Sequence, residues 1–92
     1  LNQQKYIAES ELELNKAKRQ FTDARNHVHL SNLAMDQSKE VLRITSNRFK
    51  QGLEQSKDLL YAETQLNEKE LENLQAIFNY NFTLAYIKFL TR

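Results

Sequence analysis

The chain has 92 residues, 40% of them hydrophobic and 27% charged, with a formal net charge of +1. This composition describes one small amphipathic domain rather than a disordered or membrane-spanning chain. It carries no basic excess of the kind nucleic acid selects, and with no cysteine it has no disulfide and no thiolate metal site.

From Ile7 to Phe49 the chain keeps a seven-residue rhythm. One set of positions reads Ile7, Leu14, Phe21, Val28, Met35, Leu42 and Phe49. The set three residues on reads Ser10, Ala17, Ala24, Ser31, Ser38 and Thr45. This is a coiled-coil heptad with one large and one small seam position. Small seam residues let a partner helix approach toward the short end of the usual ~8–10 Å separation. A second stripe, Leu30, Ala34, Val41 and Ile44, is offset from the seam. It reads either as a wide face toward one partner or as the contact for a second neighbour.

Gly52 is the only glycine and there is no proline, so the chain has one place to turn. Glycine reaches the left-handed conformation that ends a helix at little steric cost. The pattern predicts an all-α fold: a single long antiparallel coiled-coil hairpin. Its first helix spans about 2–50, its tight turn 51–53 and its second helix about 54–91. Ser56 is placed to cap the second helix, with Asp58 in its first turn.

The second helix starts one seam with Leu59, Ala62 and Leu66 and a further stripe with Leu60, Leu71, Leu74 and Phe78. Beyond Ala76 it is apolar on most sides, through Ile77, Phe78, Tyr80, Phe82, Leu84, Ala85, Tyr86, Ile87, Phe89 and Leu90. Such a helix is normally buried, which one partner cannot achieve, so the isolated chain is expected to self-associate. The aromatics could also mark a membrane surface, but basic residues are scarce there, which favours protein contact. The stretch is too short to cross a bilayer. The first helix is also expected to outrun the second by about a dozen residues at 1.5 Å each. Residues 1–50 carry nine Lys or Arg against six Asp or Glu, and residues 54–72 carry two against six, so the two helices attract weakly.

No catalytic or cofactor-binding pattern is present. His27 and His29 are two residues apart, so on a helix they face different ways and cannot share a metal. The acidic triplets Glu9, Glu11, Glu13 and Glu68, Glu70, Glu72 alternate faces in the same manner. No phosphate loop, dinucleotide fingerprint or nucleophile elbow occurs. The reading is therefore no enzyme, no cofactor and no metal.

Arg48-Phe49-Lys50-Gln51-Gly52-Leu53, followed by Asp58-Leu59-Leu60-Tyr61-Ala62 and Leu66, resembles the TolC-like outer membrane efflux protein family. The ending Tyr80-Asn81-Phe82, Leu84-Ala85-Tyr86 and Phe89-Leu90 is similar to that family's closing helix. The likeness covers residues 40–92 by motif and 1–39 by heptads alone. Phe49 stands where the family often has Tyr, and Gln55 where it often has Ser or Thr. The resemblance implies a trimeric channel of the bacterial cell envelope, with a β-barrel in the outer membrane and a helical tunnel in the periplasm. This chain would be one tunnel hairpin, a fragment of the larger channel protein. The resemblance further implies that its tip, Arg48, Phe49, Gln51, Gly52, Leu53 and Glu54, docks a periplasmic adaptor protein. That adaptor would connect it to an inner-membrane transporter for multidrug efflux or type I secretion. Leu14, Phe21, Val28, Met35, Leu42, Leu59 and Leu66 are expected to form the helix-packing seam. The alternatives are a generic coiled-coil interaction module or an adaptor's own α-hairpin.

Overall fold

The computed structural model describes the backbone of residues 2–92 and the side chains from Ile7 onward. The chain is an all-α antiparallel hairpin of two helices, α1 (Asn2–Lys50) and α2 (Ser56–Leu90). Among the described residues there is no strand. The hairpin is a rod with principal extents of 76 × 16 × 14 Å. The long extent is that of a single straight helix, since 49 residues at 1.5 Å each rise about 74 Å. With no proline and its only glycine at the turn, neither helix contains a residue that breaks or kinks it.

The buried residues are small. Ala17, Ala24 and Ser31 of α1 meet Ala62, Asn73, Ala76 and Thr83 of α2, and among the described residues no large side chain is fully buried. Ala17 and Ala76 are each only 1% exposed. The large seam residues Leu14, Phe21, Val28, Met35, Leu42, Leu59 and Leu66 are half-buried and flank this line of small ones. Two bare helices can bury alanine and serine completely only where their backbones lie close, and close backbones leave larger side chains to splay over the edges. Ile7 and Ser10 continue the heptad but are exposed, because α2 ends short of them.

The α2 seam runs further than its apolar residues suggest. The three- and four-residue steps from Leu59, Ala62 and Leu66 continue through Lys69, Asn73, Ala76, Tyr80, Thr83, Ile87 and Leu90, all buried or half-buried. Asn73 is the informative member. It is buried, and its Nδ2 donates to Ser31 Oγ at 3.0 Å and to Asn32 Oδ1 at 2.6 Å. Ser31 Oγ in turn donates to the Val28 carbonyl at 2.9 Å. No buried side-chain polar atom among the described residues lacks a partner. The pairing of Ser31 with Asn73 sets the axial register of the hairpin, since moving either helix one turn would strand the amide. Further from the turn, Phe21 and Tyr80 stack with ring centroids 5.1 Å apart.

The further stripe, Leu60, Leu71, Leu74 and Phe78, is exposed at all four positions, Phe78 at 74%. One expectation needs correction. The second helix begins at Ser56, not Glu54, and Ser56 is its first helical residue, not its cap. On the flank of α1, Arg43 pairs with Glu40 one turn back, and the hydrogen bond it donates holds the Glu40 carboxyl below the usual carboxylate range.

The close approach predicts an inverted mutational pattern, readable from urea melts followed by circular dichroism. Ala24→Leu or Ala76→Leu should cost about 1–3 kcal/mol through overpacking. Leu42→Ala should cost about 1–2 kcal/mol, at or below the lower end of the ~2–5 kcal/mol typical of a fully buried leucine, because Leu42 is half-exposed. Arg19→Ala should leave the midpoint unchanged. Asn73→Ala should cost about 1–2 kcal/mol.

Candidate docking tip

The turn is built by six residues that follow from one glycine. Gly52 has φ +75°. Its amide donates to the Phe49 carbonyl at 3.0 Å, and the Leu53 amide donates to the Arg48 carbonyl at 2.8 Å. This pair of bonds is the Schellman closure of a helix C-terminus, and it satisfies carbonyls that the last turn would otherwise leave open. Arg48 and Lys50 lie in that last turn, where positive charge opposes the negative end of the helix dipole.

The Arg48 side chain also crosses the turn. Its Nε donates to Glu54 Oε1 at 2.8 Å. With Leu53 bonded to α1 through its amide and Glu54 held through its carboxylate, both stay outside the second helix. This explains the late start at Ser56. The cap position falls to Gln55, at φ −83° and ψ 153°, with no side-chain cap bond. Its carbonyl accepts from the amides of Asp58 and Leu59 instead. Asp58 lies in the first turn of α2, where its charge favours the exposed amides.

A Schellman closure usually brings the residue after the glycine against an apolar residue three or four back from the helix end. Here that residue is Leu53 and the positions behind it are Asn47 and Arg48, neither of them an apolar residue. Leu53 is accordingly 60% exposed, and Phe49 is exposed nearby. The tip thus presents two apolar side chains beside two exposed cations, Arg48 and Lys50, one half-buried carboxylate and the exposed amide of Gln51. Of the expected tip residues, Arg48 and Glu54 alone make a side-chain hydrogen bond or ion pair, and they make it with each other. A Cβ at Gly52 would meet nothing within 4 Å, so only the backbone angle demands glycine there.

From the tip along the rod, the interhelical grooves are shallow and open. One is lined by Ser38, Val41, Thr45, Glu54, Asp58, Tyr61, Ala62 and Gln65. Another, further along, includes His27, Asp23, Asn79 and Phe82. His27 and His29 are both exposed. Among the described residues, no three His, Asp or Glu side chains converge as a metal site would require, and no helix is long and apolar enough to cross a membrane. The site element that the sequence reading passed over is the buried Asn73 with Ser31. Its signal was the unbroken three–four step from Leu66, hidden because asparagine does not register as apolar.

No family model matches the chain, and no curated protein or solved structure is significantly similar to it.

The turn predicts a graded response at its glycine. Gly52→Ala should destabilise the hairpin by about 1–2 kcal/mol from the positive φ alone, Gly52→Asn by less, and Gly52→Val by more. Chemical melts of the four proteins give the order directly. An Arg48→Ala, Glu54→Ala double-mutant cycle should return a coupling of about 0.2–1 kcal/mol that shrinks with added salt.

Proposed function

We propose that this chain is a periplasmic tunnel hairpin of a TolC-like outer membrane efflux or secretion channel, and that its tip docks a periplasmic adaptor protein. The observation that carries the docking role is Leu53. It stands on a turn fixed by two backbone bonds and an ion pair, yet lacks the apolar partner that this turn normally supplies. A backbone held rigidly loses little further conformational freedom when a partner covers the side chain it carries. Arg48 and Gln51 beside it supply the polar rim that gives such a contact its specificity.

The wall role draws on the flanks. An isolated two-helix module needs one seam per helix, whereas this hairpin carries a further apolar stripe on each, all exposed except the half-buried Ala34. A tunnel wall gives every helix two neighbours and accounts for both stripes. The apolar outer surface of α2 also separates this reading from an adaptor's own hairpin, which would be polar outside its seam. In the channel the chain would act within a homotrimer and through an adaptor to an inner-membrane transporter. It performs no chemistry of its own.

Leu53→Asp, introduced into the full-length channel protein, should sharply reduce export and site-specific crosslinking to the adaptor while leaving helicity and melting midpoint unchanged. Wild-type export and crosslinking in that variant would remove the docking role of the tip.

A further inference from the structure

The two exposed stripes lie at the same height on the rod. Ser31 bonds Asn73, which fixes the level. One residue back along α1 and one on along α2 are Leu30 and Leu74. Thirteen residues in the other directions are Ile44 and Leu60. Leu30, Ala34, Val41 and Ile44 on α1 therefore span the same stretch of the axis as Leu60, Leu71 and Leu74 on α2. At 1.5 Å per residue that stretch is about 21 Å long. The α1 stripe advances by four, seven and three residues and Leu71 to Leu74 by three, spacings that keep each set on one helix face, while eleven residues, or about three turns, separate Leu60 from Leu71.

They also lie on different sides. The α1 stripe is about a third of a turn from the seam at 100° per residue, on the face where Val41 shares a groove with Tyr61. The α2 stripe is nearly opposite the seam and leans to the other face, where Leu60 lies beside Leu59 and Glu63. A hairpin cannot bring its own two stripes together. A second hairpin pointing the same way can bring its α2 stripe to the first one's α1 stripe with no axial shift. Charge disfavours one alternative: residues 60–74 carry Glu63, Glu68, Glu70 and Glu72 against Lys69 alone, so an α2-to-α2 contact joins like charges. Residues 30–44 are balanced, with Lys39 and Arg43 against Asp36 and Glu40, so an α1-to-α2 contact meets no such repulsion, and it covers both kinds of stripe.

We propose that a second copy of this chain docks side by side with the first, tips aligned, through Leu30, Val41 and Ile44 of one copy and Leu60, Leu71 and Leu74 of the other. The contact is heterologous: each pairing leaves one stripe free on each copy, so the assembly grows until a ring closes or the row is capped. This inference rests on the stripes and the register and does not require the channel reading.

The test uses the 92-residue chain and two variants altered only at exposed positions. One carries Leu30→Asp and Val41→Asp, the other Leu60→Asp and Leu74→Asp. In sedimentation velocity the unaltered chain should form species larger than a dimer, and each variant alone should be monomeric. An equimolar mixture of the variants should form a heterodimer and nothing larger, because one intact stripe of each kind remains. Self-association of either variant alone, or a mixture that stays monomeric, overturns the proposal. Circular dichroism checks that both variants keep the helical content of the parent. Register is read separately, since the chain has no cysteine of its own. Leu30→Cys mixed with Leu74→Cys should form a mixed disulfide at least about tenfold faster than Leu30→Cys mixed with Leu60→Cys. Equal rates overturn the level pairing. Failure of either arm leaves the adaptor-docking role of Leu53 standing, since that role is read from export and crosslinking.

Discussion

Alanine, serine and threonine at alternate seam positions let the two backbones lie close, and much else about this molecule follows from that approach. Dispersion falls steeply with separation, so alanine in such a seam contributes through the backbone contact it permits rather than through its own area. The fully buried residues are accordingly Ala17, Ala24, Ala62 and Ala76 with Ser31, Asn73 and Thr83, while leucines and phenylalanines ride on the edges of the interface. The same geometry explains why so much apolar surface stays uncovered. A pair of helices in close contact has a narrow core, and residues such as Leu30 or Leu74, well off the seam, have nothing of their own chain to reach.

A narrow seam of small residues specifies position along the axis weakly, because alanine packs against alanine at any register. The Asn73 amide corrects this. It sits where a heptad position would otherwise be apolar, and its two donors are both used, on Ser31 and Asn32. A buried amide without partners costs more than a typical hydrogen bond contributes, so the penalty for slippage exceeds the benefit of the native contact. The turn acts from the other end. Gly52, closed by the Arg48 and Phe49 carbonyls, fixes where α1 stops, and the Arg48–Glu54 pair fixes where α2 starts. Two local devices therefore hold a register that the seam by itself would leave loose.

The fold was legible in the sequence because its two strongest signals are local. The heptad from Ile7 to Phe49 and the single glycine determine two helices and one reversal, and neither depends on distant contacts. The α2 seam was read only to Leu66, since Asn73 and Lys69 break the apolar pattern while keeping its spacing. The start of α2 was misread for a related reason. Ser56 has good capping chemistry, but the cap is decided by the turn before it, and the side-chain bond from Arg48 to Glu54 spans six residues in a way that no propensity reports. The exposure of Leu53 was expected from its place at the turn. The reason for it, a Schellman closure backed by Asn47 and Arg48 instead of apolar residues, needed the hydrogen bonds.

The molecule separates its contacts by direction. Its end presents a compact, rigid group of Phe49, Leu53, Arg48 and Gln51, suited to meeting one partner along the rod axis. Its flanks present long, flat stripes suited to neighbours lying parallel to it. These two kinds of surface make different demands on the fold. The end needs only the turn, with its two backbone bonds and the Arg48–Glu54 pair. The flanks need the register, because Leu30 is level with Leu74, and Ile44 with Leu60, only while Ser31 faces Asn73. A polar residue in the seam weakens packing relative to an apolar one, so a hairpin whose sole task lay at its tip would gain stability by replacing Asn73 with a residue like its heptad equivalents Leu59 and Leu66. That the amide is present with both its N–H groups bonded is understandable if the height of the flanking stripes matters, and it connects a single buried side chain to the surface through which the rod can meet its neighbours.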